Sequence, residues 1–211
     1  MIRVKNLVAV LLLAVVIWFF GFRDEAVVLG PGVTAPEVPV QVQIETPESF
    51  PFNDYTITPL AKFRIKAKVL SQKGYRFGRE ADLSPLDLAL GWGTMSDESV
   101  LDNIEISQSG RWYRWRTEVL PISHKDIETQ SGNMHLIPAD SFVEYMMDKT
   151  RTGDLVEFFG SLVQVDADDG WHWISSLSRT DTGARSCEVV WVESFRVIDY
   201  SEALLSRNSG F

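Results

Sequence analysis

Residues 61–70, AKFRIKAKVL, alternate without a break, Phe63, Ile65, Ala67 and Val69 against Lys62, Arg64, Lys66 and Lys68. Successive side chains of an extended chain point to opposite faces, so a period of two predicts a strand with one apolar and one basic face. No helix sorts these residues onto separate sides. The alternation returns on both sides of Ser109-Gly110 in IEISQSGRWYRWRTEVL, and again around Asp169-Gly170 in GSLVQVDADDGWHWIS. Each of these reads as a hairpin. NMHLIPAD supplies a strand ending at Pro138, and CEVVWVESFRVI, residues 187–198, supplies the last. The chain is therefore expected to be mainly β, of the α+β kind. The architecture expected is a small OB-like or SH3-like barrel or roll with three or four short helices, preceded by one transmembrane helix.

The helices are read from their caps. In DLSPLDLALGWG, Ser84 is placed as an N-cap, Pro85 as the first helical residue and Asp87 as the partner of a capping box, with Gly91 as terminator. Ser96 then starts a second short helix. Gly91-Trp92-Gly93 becomes the corner between the two, with Trp92 filling the core. Ser123 with Asp126 marks a helix over 124–129. Asp140 caps another in SFVEYMMDKT, whose apolar stripe is Phe142, Val143, Met146 and Met147.

The first 25 residues are of another kind. Arg3 and Lys5 precede an uncharged apolar run of 16 residues, 7–22, closed by Arg23, Asp24 and Glu25. A cleaved signal peptide would want small residues before the cut, where Trp18, Phe19 and Phe20 stand. A signal anchor fits better, since Val4 can stretch the run to the margin of a membrane span while Lys5 snorkels. The positive charges on the amino side keep that end in the cytoplasm. The expectation is thus a single-pass protein of a bacterial inner membrane with its C-terminal domain in the periplasm, held in the bilayer by residues 7–22. Residues 1–25 form the anchor, 26–52 a linker with prolines at 31, 36, 39, 47 and 51, and 53–211 the periplasmic domain.

Charge narrows the partners. After residue 22 there are 29 acidic and 18 basic side chains, a net charge of −11. A field of that sign repels phosphate backbones, so nucleic acid is not an expected partner. Two local exceptions stand out. Seven of the 18 basic residues lie within 62–79, and the basic face Lys62, Arg64, Lys66 and Lys68 could either shield a strand from edge pairing or dock an anionic partner. On the second strand of the first hairpin, Trp112, Arg114 and Arg116 share one face, and Arg111, Tyr113 and Trp115 the other. Arginines beside aromatics either stack to support a sheet or grip a sugar or peptide. The leading reading is a non-enzymatic binding or assembly module for an envelope protein or anionic polymer, using Lys62, Arg64, Lys66, Lys68, Arg111, Trp112, Arg114 and Arg116.

No cofactor or metal is expected. Gly91-Trp92-Gly93 lacks the G-x-G-x-x-G continuation of a dinucleotide loop, and VDADDGW has its glycine one residue early for an EF-type calcium loop. His124, His135 and His172 are too dispersed for a zinc spacing and read as surface or satisfied core histidines. No G-x-S-x-G elbow occurs, and Asp181-Thr182-Gly183 reads as a turn rather than half of a carboxylate dyad. One cysteine allows no internal disulfide.

Two resemblances carry further expectations. Cys187 on a late strand, Arg196 nine residues on, His124 63 residues before, and a single N-terminal anchor resemble a sortase. That resemblance implies an envelope thiol hydrolase or transpeptidase with Cys187 as nucleophile, His124 as base or acid and Arg196 as oxyanion partner. The chain departs from the family in having Ala184-Arg185-Ser186 where sortases carry T-L-x-T before the cysteine. Segments DLALGWGTMSD, SGRWYRWR, NMHLIPAD and SSLSRTDTG followed by CEVVWVE resemble a bacterial family with an N-terminal membrane segment and no known activity. The second resemblance implies the localisation and points to Trp92, Arg111, Arg179 and Asp181 without giving them a role.

Overall fold

A computed structural model describes residues 26–178, 187–199 and 201–202. The expected anchor, Arg179 and Asp181 lie outside them. Among the described residues, no helix is long and apolar enough to cross a membrane.

The chain is mainly β, as expected. In order come β1 (Val40–Gln43), β2 (Phe50–Phe52), β3 (Tyr55–Gly74), α1 (Arg79–Leu83), β4 (Leu86–Gly91), a 3-10 turn (Gly93–Ser96) and α2 (Glu98–Leu101). There follow β5 (Glu105–Ser109), β6 (Trp112–Arg116), α3 (His124–Thr129), β7 (Ser131–Pro138), α4 (Ser141–Asp148), β8 (Leu155–Ala167), β9 (His172–Ile174) and β10 (Glu188–Val197). Strand pairings run β3-β4-β7-β10-β8 and return from β8 to β3, so five strands close on themselves. Only β7 and β10 are parallel; the other ring pairings are antiparallel. The first hairpin, β5–β6, is a separate ribbon laid over the outside of β4 and β7.

The alternation of β3 sets the inside of this ring. Phe63, Ile65, Ala67 and Val69 meet Leu86, Leu88 and Leu90 of β4, Met134 and Leu136 of β7, and Phe158 and Val190 in one continuous core. Trp92 is 2% exposed in that core, as expected. It sits at the turn from β4 into the 3-10 turn, not between two helices. Gly91 is required there, because a Cβ would lie 2.3 Å from the Met95 carbonyl oxygen. Gly93 is required too, turning at φ +54° while its N–H donates to the Ala35 carbonyl.

Several local expectations change. Residues 84–90 do not form a helix: Leu86, Leu88 and Leu90 repeat at two, not three or four, and β4 is buried on both faces. Ser96 is not an N-cap. Asp97 caps α2, and the Ser96 hydroxyl accepts from the Thr34 and Ala35 N–H groups and donates to the Gly93 carbonyl. β3 is not an edge, since β1, β2 and β4 cover one side and β8 the other. Nor is its outer face wholly solvated. Lys68 is 2% exposed, 2.7 Å from Glu98, and donates to the Gly153 carbonyl. Phe142 faces solvent at 68% exposed, so the α4 stripe reduces to Val143 and Met147 with Met146 half-buried. The caps Ser123 and Asp140 are where expected.

The far end of the stretch 26–52 adds strands to the sheet, and its earlier residues also touch the domain. Leu29, Thr34 and Ala35 are buried, Val27 N–H donates to the Thr152 carbonyl, and β1 pairs with residues 61–64 of β3.

Candidate functional site

The outward side of the ring is polar where β4, β7 and β10 run side by side. Residues paired across a sheet point to the same face. Asp87 pairs with His135, and Val189 with His135 on the other side. Leu86, Leu88, Met134, Leu136 and Val190 face inward, so Asp87 and His135 face outward, and Cys187, just before β10, lies on the same side with its sulfur near the Arg111 carbonyl. This face would meet water but for the β5–β6 ribbon and β9, which cover it. Asp87 is 0% exposed and His135 3%.

The tip of the first hairpin locks onto this row. Gly110 and Arg111 both have positive φ, 58° and 68°, the mirror-type turn that suits the twist of a two-residue hairpin. An L-residue in the left-handed region is disfavoured by about 1 kcal/mol or more. Arg111 is held there by what it touches. Its backbone N–H donates to the Tyr75 hydroxyl at 3.0 Å, and its guanidinium lies 3.8 Å from the centre of the Tyr75 ring. Nη1 donates to Asp87 Oδ1 at 2.6 Å and to the Ser84 carbonyl at 3.0 Å. The Arg111 carbonyl accepts from Asn133 Nδ2 at 3.1 Å and lies 3.9 Å from Cys187 Sγ. Burial raises the Tyr75 phenol above its ordinary range, opposed by the bond from the Arg111 N–H.

Asp87 Oδ1 is shared. His135 Nδ1 lies 2.9 Å from it, but not along a hydrogen-bonding direction, and Asp87 Oδ2 has no hydrogen-bond partner among the described residues. The His135 ring packs 4.9 Å from Trp173 of β9.

Above this row opens a cavity of about 800 Å³. His135 and Cys187 line it from the ring, and Arg111 and Trp112 from the hairpin tip. Gln164 and Asp166 of β8, His172 and Trp173 of β9, and Glu80 of α1 complete the walls. The site thus combines two indoles, an anchored guanidinium and several hydrogen-bonding side chains.

Of the residues named from sequence, Arg111 and Trp112 reach this cavity. Arg114 and Arg116 do not line it; they bond along the ribbon to Ser109 and Glu105. The basic face of β3 lies elsewhere, and Lys62, Arg64 and Lys68 on it pair with carboxylates. Lys62 is 3.3 Å from Glu193, and Arg64 pairs with Glu157, which also binds Arg196 at 2.7 Å. These bonds, from Arg64 first and then Arg196, hold the Glu157 carboxyl below its ordinary value.

Cys187, His124 and Arg196 are not brought together. Cys187 just precedes β10 and Arg196 is near its far end, nine residues or about 30 Å of extended chain apart. His124 packs edge-on against Trp115 at 4.8 Å, and the four residues of ribbon from Arg111 to Trp115 put it about 13 Å away from the thiol's end. Arg196 is committed to Glu157 and Glu202.

Asp87 and His135 were missed as site residues. The signal was present in SGNMHLIP, where Ser131, Asn133 and His135 alternate with Met134 and Leu136. That alternation also fits a solvated face, and only the ribbon over it makes the row a buried polar layer. Among the described residues, no group of acidic, histidine and cysteine side chains is arranged to hold a metal ion. Comparison of the chain with protein-family models, curated proteins and solved structures finds no match.

Proposed function

We propose that the chain is an envelope-facing binding module, anchored through residues 7–22, whose closed sheet is a barrel of the OB kind. The strand order supports this. Numbered along the ring's own strands, it is first, second, third, fifth, fourth and back to first, with the parallel pair between third and fifth and a helix, α4, between third and fourth. OB barrels take extended polymers on the face of the second and third strands, between the loops that follow the first and fourth. Here those strands are β4 and β7, and those loops carry Glu80, His172 and Trp173. The cavity lies on that face.

The observation that carries the reading is the convergence of Trp112 and Trp173 with Arg111, Gln164 and Asp166 around that cavity. Apolar rings with a few placed polar groups are what a ligand of hydroxyls and amides requires. An acidic domain selects against nucleic acid, leaving a glycan strand of the envelope as the polymer of choice. The basic face of β3 is a poorer candidate because Lys62 and Arg64 already hold carboxylates.

The test is a titration of the full-length protein in detergent with oligosaccharides of N-acetylated amino sugars, read by tryptophan fluorescence. Trp112→Ala is expected to weaken binding about tenfold, or roughly 1.4 kcal/mol, while Lys62→Glu with Arg64→Glu leaves it unchanged. Saturable binding that survives Trp112→Ala but is lost in the charge-reversed pair would overturn the cavity reading.

A further inference from the structure

We propose that the cavity holds a thiol nucleophile, with Cys187 as the attacking group, His135 as its acid–base partner and Asp87 as the carboxylate that offsets the charge of the imidazolium formed. The inference goes beyond binding and does not depend on which polymer the cavity takes.

The placement follows from the ring. Asp87 and His135 lie on the neighbouring strands β4 and β7 and face outward, and Cys187 is the residue just before β10, the next strand of the ring. Asp87 is level with His135. Cys187 is two residues before Val189, the partner of His135, so its Cα is about 8 Å from that of His135 across the diagonal. Both line the cavity, and Cys187 is half-buried at its floor rather than packed into the barrel core.

Two observations argue against a purely structural layer. His135 is 97% buried, yet its Nδ1 has no aligned hydrogen bond, and Asp87 Oδ2 has none either. Buried polar atoms left in this state are expensive, and a role in chemistry is one of the reasons that they are kept. A purely structural anchor for Arg111 would need only Asp87. The histidine between that carboxylate and the thiol adds nothing to the Arg111 lock and places an imidazole where a nucleophile requires one.

The step is acyl transfer. His135 takes the thiol proton, the sulfur attacks the carbonyl carbon of an ester or amide, and a C–S bond forms. The C–O or C–N bond then breaks, and the leaving group takes the proton from His135. Water, deprotonated by His135, attacks the thioester, the C–S bond breaks, and the acid is released with the thiol restored. Arg111 lines the same cavity, its carbonyl 3.9 Å from Cys187 Sγ and its guanidinium held by Asp87 and Tyr75, and it is the cationic group of the wall that would meet the negative charge developing on the carbonyl oxygen.

The experiment uses the full-length protein in detergent and iodoacetamide at pH 7. Native Cys187 is expected to alkylate at least tenfold faster than the same thiol in the urea-unfolded chain, and His135→Gln is expected to abolish that excess. A native rate at or below the unfolded rate overturns the proposal, and this comparison needs no variant that might fail to fold. With p-nitrophenyl acetate, an acetyl adduct on Cys187, absent in Cys187→Ala, is expected. Its absence overturns the acyl-transfer step. Neither readout involves glycan binding, so failure here leaves the binding reading standing, and failure there leaves this one.

Discussion

At the scale of single residues, Arg111 shows how an unfavourable backbone is held by what the side chain meets. Its left-handed φ is disfavoured, but the turn delivers the guanidinium to Asp87, Ser84 and Tyr75 at once. Removing one partner of a buried ion pair leaves the other unpaired, which is destabilising by about 3 kcal/mol. Arg111→Ala is therefore expected to lower unfolding stability by about that amount in urea titrations. In Arg111→Ala with Asp87→Asn the combined loss should be well below the sum, since the stranded charge is gone. Additive losses would mean that the two side chains act independently, contrary to the 2.6 Å contact.

At the scale of elements, the N-terminal stretch before β1 is part of the fold because other elements need it. Ser96 at the end of the 3-10 turn accepts from two backbone N–H groups of that stretch and donates to Gly93. Glu98 of α2 accepts from the Leu29 N–H while pairing with buried Lys68. Three hydrogen bonds at about 1 kcal/mol each are lost in Ser96→Ala, so a loss of about 2 kcal/mol is expected after relaxation. Limited proteolysis should then cut within residues 26–36 faster than in the parent. Unchanged cleavage there would show that the segment docks without this hydroxyl.

The element scale is also where the sequence was misread most plainly. Ser84, Pro85 and Asp87 have the right spacing for a helix start, and a helix was expected. Yet a capping pattern is a local preference of a few tenths to a few kcal/mol, whereas burying Leu86, Leu88 and Leu90 in the ring is worth about 2 kcal/mol for each. The larger sum wins, and Asp87 becomes available for the site. Where local and tertiary signals agree, as at Ser123, Asp140 and Gly170, sequence and structure coincide.

At the scale of the whole molecule, the ring must be closed between β3 and β8, and Glu157 sits across that seam. It bonds Arg64 on β3 and Arg196 on β10 at once. Its carboxyl is held below the ordinary value near 4.5, so it stabilises the fold above that pH, and the contribution disappears as pH falls through the depressed value. Glu157→Gln is expected to lower stability at pH 7 and to flatten the fall in stability on acidification, followed by circular dichroism. An acid limb identical to the parent's would show that this bridge is screened to nothing by solvent.

The sequence by itself determined the class of fold and much of its punctuation. Alternation in 61–70, the Gly110 and Asp169-Gly170 turns and the Ser123 and Asp140 caps are properties of neighbouring residues, and neighbours suffice to read them. It also brought Arg111 and Trp112 into view, because arginine beside tryptophan on a strand is itself a chemical signal. Tertiary structure alone decided the rest. Asp87, His135 and Cys187 are 48 and 52 residues apart in the chain and carry no shared motif. They come to one side of the sheet because the ring sets β4, β7 and β10 side by side, and the ribbon covers part of that side. The same closure buried Lys68, committed Arg64 and Arg196 to Glu157, and left Cys187 and Arg196 far apart, one before β10 and the other near its end. Spacing along a chain does not report distance once strands separated by helices and hairpins pair across a closed sheet.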